Sequence, residues 1–165
     1  MDTNEFWALN VGLPPESAAE VVQERLAAIS PEQIIQYQRL FDKFFSEAYR
    51  WDLWGAAYLI DGGCSDDGFI DFRYGLISRG RSIFEEALND PDSLVAFASD
   101  SDDGYIPNED FGYAAARAYK EVTGTDMPSQ EYEHPKEPAG EGWDFDDPEL
   151  CNQKLPKLWM KFGES

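Results

Sequence analysis

Residues 49–60 would be apolar on nearly every side if they formed a helix. The apolar residues of this segment are Trp51, Leu53, Trp54, Ala56, Ala57, Tyr58, Leu59 and Ile60. A helix without a polar face has to be covered by neighbouring elements on all sides, so such a segment lies at the centre of a fold. Gly62 and Gly63 follow it and predict its end. We therefore expect a central buried helix with other helices packed around it.

The clearest of the surrounding helices begins at residues 30–33. Ser30 is a preferred N-cap residue, Pro31 fits the first helical position, and Gln33 completes a capping box. An apolar face with helical spacing follows, made of Ile34, Tyr37, Phe41, Phe44, Phe45 and Ala48. The pattern predicts a long amphipathic helix.

Similar signals divide the rest of the first 124 residues into helices. A polar turn at residues 65–68, which also suits a helix cap, precedes one of them, and Asn108 caps the last before Gly124 ends it. No Asn-Gly type of hairpin signal is present, so the predicted class is all-α. The expected helices cover about residues 2–9, 16–29, 69–78, 83–89, 90–97 and 108–123.

The composition changes after Thr125. Prolines and glycines interrupt regular structure there, and the segment is acidic. It also holds apolar anchors that seldom remain in water, namely Trp143, Phe145, Leu150, Leu155, Leu158, Trp159, Met160 and Phe162. We expect one domain over residues 1–165, in which residues 1–124 are the helical core. Residues 125–165 are expected to fold back on it as an extended acidic wrap with a short terminal helix.

The charge of the chain limits its partners. It has 33 acidic and 13 basic residues, for a net charge of −20, and no Lys or Arg lies between Arg81 and Arg117. Such a surface repels DNA, RNA and anionic membranes and attracts basic proteins. We therefore expect neither nucleic acid nor a membrane as a partner.

The cysteines and the apolar stretches predict the compartment. Cys64 and Cys151 are far apart and form no CxxC pair, which indicates reduced thiols. The first residues lack the basic start and apolar run of a signal peptide, and the apolar stretch at residues 53–60 is too short to cross a bilayer. We expect a cytoplasmic protein.

Chemical motifs are sparse. There is no GxGxxG, phosphate-binding loop or HExxH, and His134 is the single histidine. The phrase Asp-Asp-Gly occurs at residues 66–68 and again at 102–104. Around residues 99–110 it resembles part of a calcium-binding loop, but the first acidic ligand and the final glutamate of such a loop are missing. We expect no metal centre and no cofactor, with weak calcium binding at residues 99–110 as an alternative.

One block of the sequence resembles a known family. The block reads YRWDLWGAAYLI at residues 49–60, GGCSDDGF at 62–69 and DFR at 71–73, and Phe6-Trp7 and residues 90–94 also fit. It is similar to the bacterial domain of unknown function numbered 4240, over roughly the first two thirds of the chain. The resemblance implies an α-rich fold and a cytoplasmic bacterial source. No activity and no catalytic residues come with it.

The resemblance draws attention to one group of candidate binding residues. They are Trp51, Asp52, Trp54, Asp66, Asp67 and Arg73. One interpretation is a core ion pair of Arg73 with Asp52 or Asp66, sealed by the indole rings, because buried charges persist when they are paired. The other interpretation is a small-molecule or enzymatic pocket around Trp51, Asp66, Asp67 and Arg73.

The function expected from these features is binding to a basic partner protein without catalysis. Residues 90–110 and 131–149 would be the contact surfaces. An immunity-type protein that neutralises a basic toxin, or a nucleic-acid mimic, has this charge pattern. The sequence makes no prediction of the oligomeric state.

Overall fold

The computed structural model describes residues 1–98, 105–129 and 131–163. In this part of the chain there are nine α-helices and three 3-10 helices and no β-strand, so the all-α prediction is confirmed. In chain order they are α1 (Thr3–Leu9), η1 (Pro15–Ser17), α2 (Ala18–Ala27), α3 (Pro31–Glu47), α4 (Trp51–Asp61), α5 (Asp66–Ser78), α6 (Arg81–Asn89), η2 (Pro91–Ala96), η3 (Glu109–Tyr113), α7 (Ala114–Thr123), α8 (Pro148–Lys154) and α9 (Pro156–Phe162).

The predicted helix starts are formed by the predicted caps. Ser30 and Gln33 make the capping box of α3. The Asp2 carboxylate accepts from the Glu5 backbone N–H at 2.8 Å and begins α1. Ser65 accepts from the Gly68 N–H at 3.2 Å, so α5 begins at Asp66, one turn earlier than expected. Residues 66–68 are therefore the first turn of α5, where the free N–H groups favour acidic side chains.

Two segments predicted as α-helix contain 3-10 helix instead. Asn108 caps the predicted element by accepting from the Phe111 N–H at 3.1 Å, but residues 109–113 form η3 before α7 begins. Asp90 and Pro91 likewise open η2 and not an α-helix. Short 3-10 helices are common at the ends of α-helices and as connectors between them.

The core lies around α4 and α5. Leu53, Ala56 and Ala57 of α4 are fully buried, as expected for the apolar segment. On α5, a Cβ atom at Gly75 would lie 1.5 Å from the carbonyl oxygen of Ile106. The backbone before η3 therefore touches α5 directly, and the Asn108 N–H donates to the Asp71 carbonyl at 2.9 Å.

The segment after α7 crosses α4. The Ala139 N–H donates to the Tyr49 carbonyl at 2.9 Å, and the Trp51 N–H donates to the Ala139 carbonyl at 3.0 Å. Further along, the Trp143 ring covers α4 so closely that a Cβ at Gly55 would lie 2.5 Å from it. The chain around Ala139 and Trp143 thus contacts α4 and the residues just before it through both backbone and side chains.

The C-terminal helix α9 is fixed by a distant carboxylate. Asp92 of η2 is only 5 % exposed, and its two oxygens accept from the Lys157 N–H at 3.0 Å and the Leu158 N–H at 2.8 Å. These amides belong to the first turn of α9, where carboxylates are favoured. No helix among the described residues combines the length and the apolarity needed to cross a lipid bilayer.

Candidate functional site

The two tryptophans of the candidate group stack on one another. The Trp51 and Trp54 ring centroids are 5.5 Å apart at 12°, and Trp54 stacks on Phe69 at 4.9 Å and 17°. The indole N–H of Trp54 donates to the Cys64 carbonyl at 2.9 Å. The rings therefore join the start of α4 to α5 and to the loop between them.

Asp52 forms local contacts at the start of α4. Its carboxylate accepts from the Arg50 guanidinium at 3.1 Å and from the Leu53 N–H at 2.8 Å. Both side chains of the ion pair are 36 % exposed. Because exposed ion pairs contribute little, we assign Asp52 a modest role in starting the helix.

Arg73 is buried among aromatic rings. It is only 6 % exposed, and its guanidinium carbon lies 3.8 Å from the ring centroid of Phe45, 4.6 Å from that of Tyr49 and 4.9 Å from that of Phe69. One terminal nitrogen donates to the Phe45 carbonyl at 3.1 Å. Burial lowers the pKa of Arg73 to about 10, so the group remains cationic at neutral pH.

The predicted ion pair of Arg73 is wrong. None of the ion pairs among the described residues includes Arg73, and Asp52 is paired with Arg50 instead. Cation–π contacts and backbone carbonyls stabilise the charge in place of a carboxylate. Sequence reasoning identified the buried arginine but not the rings that surround it.

Asp66 and Asp67 do not lie with Arg73. They are exposed in the first turn of α5, whereas Arg73 lies further along the same helix on its buried side. Asp52 lines a cavity of about 460 Å³ together with Glu141, Trp143 and Lys154, and the other five candidate residues are not part of the lining of that cavity. The structure therefore stacks the two tryptophans of α4 against Phe69 of α5, but it does not place the exposed Asp66 and Asp67 beside the buried Arg73.

The Cys64 sulfur lies 3.7 Å from the Ser65 carbonyl, and no hydrogen bond among the described residues joins it to His134, the single histidine. Burial, with the charges of Asp61 and Asp71, raises the pKa of Cys64 to about 12. The His134 Nδ1 atom is 2.8 Å from the Ser46 hydroxyl, and its ring packs on Phe45 and Tyr132. A thiol with a raised pKa is a poor nucleophile at neutral pH.

The calcium alternative falls mostly outside the described residues. Ser99, Ser101 and Asp103, which would supply its first ligands, lie in the segment 99–104 that the structure does not describe. The Asp110 carboxylate is 3.4 Å from the Arg117 guanidinium. Among the described residues, no group of three His, Cys, Asp or Glu side chains is arranged to hold a metal ion.

Sequence reasoning missed a cleft between α4, α9 and the segment that precedes α8. Its volume is about 450 Å³. The Tyr58 hydroxyl of α4 donates to the Asp146 carboxylate at its wall. The sequence predicts that the aromatic tail residues are anchors, but no sequence pattern pairs two residues that are 88 positions apart. The lining residues are Tyr58, Leu59, Gly62, Phe145, Asp146, Pro148, Trp159, Phe162 and Gly163.

Comparison with known proteins identifies the family. A family model described as "Protein of unknown function (DUF4240)" matches residues 1–121, about three quarters of the chain. The chain belongs to this family. No curated protein and no solved structure matches it.

Only some of the residues that line the cleft belong to the DUF4240 match. Tyr58 and Leu59 lie inside the matched residues, whereas Phe145, Asp146 and Trp159 lie beyond residue 121. The cleft is therefore built jointly by the part of the chain that the DUF4240 model covers and by the segment that follows it.

Proposed function

We propose that this member of the DUF4240 family is a non-enzymatic module that binds a basic partner protein through residues 131–149, the acidic segment. One observation supports this. The segment has a single cationic side chain, Lys136, and none of its carboxylates takes part in an ion pair among the described residues. Seven of its acids are exposed and Asp147 is half-buried. The acids are Glu131, Glu133, Glu137, Glu141, Asp144, Asp146, Asp147 and Glu149.

The second surface expected from the sequence, residues 90–110, is less suited to this role. The Asp92 carboxylate is buried against α9. Asp110 contacts Arg117. A buried carboxylate, or one paired with a cation, contributes less to the field that a partner meets. Asp144, Asp146 and Asp147 of the acidic segment also accept hydrogen bonds, but from neutral groups, so we place the contact surface on the acidic segment.

Unpaired carboxylates on one surface attract a cationic partner over several ångströms. The attraction speeds association and weakens as salt shortens its range to about 8 Å at physiological ionic strength. A protein of net charge −20 that neutralises a basic toxin, or that mimics nucleic acid, would use such a surface. A cytoplasmic bacterial setting belongs to the same proposal.

Charge neutralisation tests the proposal. The probe is a ten-residue lysine peptide, measured with the full chain by calorimetry at 50 and 300 mM NaCl. The test variant carries Glu133→Gln, Glu137→Gln and Glu141→Gln in the acidic segment. The control carries Glu20→Gln, Glu24→Gln and Glu86→Gln, which are exposed acids on α2 and α6. Both variants change the net charge by the same amount.

We expect the test variant to bind about fivefold more weakly than the control at low salt. Three exposed charge contacts of about 0.3–0.5 kcal/mol each give a factor of that order. Equal losses in the two variants would show that only the total charge matters. Absence of binding at 50 mM NaCl, or binding that ignores salt, would also overturn the proposal.

A further inference from the structure

The aromatic cleft, defined as the cavity of about 450 Å³ lined by Tyr58, Phe145, Asp146, Trp159 and Phe162, opens beside the acidic segment. Four of these five side chains are aromatic rings, contributed by α4, α9 and the chain before α8. The Tyr58 and Phe145 ring centroids are 5.4 Å apart at 45°. The faces of such rings carry partial negative charge and attract cations.

Carboxylates add to the negative potential of the aromatic cleft. The hydrogen bond from the Tyr58 hydroxyl to Asp146 raises the pKa of Tyr58, with further contributions from burial and from the charges of Asp146 and Asp144. No Lys or Arg is among the lining residues. Lys161 lies 5.3 Å from the Phe162 centroid, but its ammonium donates to the Ala98 carbonyl at 2.7 Å.

The protein already uses rings to hold a guanidinium elsewhere. The Arg73 group is surrounded by Phe45, Tyr49 and Phe69 and has no carboxylate partner among the described residues. The aromatic cleft has a similar set of rings and adds a carboxylate, but none of its lining residues is a cation. Its chemistry is therefore complementary to a planar organic cation that comes from outside.

We propose that the aromatic cleft receives an arginine side chain of the basic partner protein. The guanidinium plane stacks on the rings while its N–H groups donate to Asp146, a combination that the rounder, more strongly hydrated lysine ammonium matches less well. This inference rests on the proposed function, because the arginine belongs to the partner that the acidic segment attracts.

Binding of a small guanidinium probe tests the aromatic cleft directly. The full ¹⁵N-labelled chain is titrated with N-acetyl-arginine-amide, and the tryptophan indole N–H signals are followed by NMR, with Trp159 assigned through Trp159→Phe. We expect a saturable shift of the Trp159 signal with a Kd on the order of millimolar. N-acetyl-citrulline-amide, which has the same shape without the charge, is expected to bind at least about threefold more weakly.

Two conservative variants separate the aromatic cleft from general charge. Asp146→Asn changes an exposed side chain and is expected to weaken arginine binding about fivefold. Asp126→Asn, at an exposed acid that pairs with Lys120, makes the same change in net charge and is expected to leave binding within twofold. Absence of a shift at Trp159, equal binding of citrulline, or equal effects of the two variants would overturn the inference.

Peptide probes separate this inference from the proposed function. Ten-residue arginine and lysine peptides are compared on the same two variants. We expect the arginine peptide to bind more tightly than the lysine peptide, and Asp146→Asn to remove most of that difference. If both peptides bind equally and remain salt-sensitive, the proposed function stands and the role of the aromatic cleft is wrong. If neither peptide binds, both are wrong, even where the small probe still binds.

Discussion

Helices α5 and α9 are attached to the rest of the protein in different ways. α5 lies inside the DUF4240 match and touches the chain before η3 at Gly75, where there is no room for a side chain. α9 lies beyond the match and is attached through side chains, among them the buried Leu158 of the helix and the buried Asp92 carboxylate. Close backbone packing is disrupted when an atom is added, whereas a contact made by a side chain is lost when that side chain is removed. The two helices should therefore respond to different kinds of substitution.

Gly75→Ala should have the largest effect on stability. The new Cβ would lie 1.5 Å from the Ile106 carbonyl oxygen, and the next nearest atoms are also backbone, so a whole segment has to move. We expect a loss of about 3 kcal/mol or more in the free energy of unfolding, at the upper end of the range for overpacked cores. Urea denaturation followed by circular dichroism measures it.

Gly68→Ala is the matched control on the same helix. A Cβ there would meet the Ser65 hydroxyl at 3.4 Å and the Cys64 sulfur at 3.5 Å, which are ordinary contacts. Because alanine favours helix over glycine by about 1 kcal/mol, this variant should be unchanged or slightly more stable. If both variants lose stability equally, close packing at Gly75 does not explain how α5 is fixed.

Asp92→Ala should have the next largest effect, and the effect should be local. It removes the acceptor of the Lys157 and Leu158 N–H groups and leaves these amides without their partner. Hydrogen bonds to a charged acceptor contribute about 1.5–3 kcal/mol, so we expect a loss of about 2 kcal/mol. Hydrogen exchange should show α8 and α9 opening while α4 and α5 remain protected.

Asp90→Ala separates the role of Asp92 from that of its neighbourhood. Within the part of the chain that the structure describes, Asp90 accepts from the backbone of η2 alone, so its removal should cost about 1 kcal/mol and leave exchange in α9 unchanged. A change in α9 with this variant, or protection of α9 in Asp92→Ala, would mean that other contacts attach the helix.

Features that depend on neighbouring residues can be predicted from the sequence, and features that depend on distant contacts cannot. The starts of α1 and α3 are predictable because each cap and its N–H partner lie within three residues. The family block is also recognisable, because it is a continuous phrase. The 3-10 form of residues 109–113 is not predictable, since it depends on contacts with α5, including a Cβ position at Gly112 only 2.4 Å from the Tyr74 ring.

The partners of the candidate site residues also cannot be predicted from the sequence. The sequence points to Arg73, but the spacing within α5 does not show whether its charge meets a carboxylate or the rings of Phe45 and Tyr49, which lie outside that helix. Nothing in the sequence distinguishes Asp92 from the other acidic residues. Only the fold shows that its carboxylate accepts from backbone N–H groups 65 and 66 positions away. Contacts between distant parts of the chain leave no local pattern, so both the anchor of α9 and the aromatic cleft require the structure.

Lys161→Met should have the smallest effect on stability. It tests how much the Lys161 side chain contributes to the attachment of α9 compared with Asp92. The Lys161 ammonium donates to the Ala98 carbonyl at 2.7 Å from an exposed position, where water replaces the donor readily. We expect a loss below about 1 kcal/mol in the free energy of unfolding.

Lys157→Met is the control, because it makes the same charge change one turn earlier on the same helix. No side-chain hydrogen bond is found for Lys157 among the described residues. Thermal denaturation of both variants, alone and combined with Asp92→Ala, gives the coupling between the two anchors. Additive losses would show that they act independently, whereas a Lys161→Met loss as large as that of Asp92→Ala would contradict the view that one buried carboxylate is the main anchor of α9.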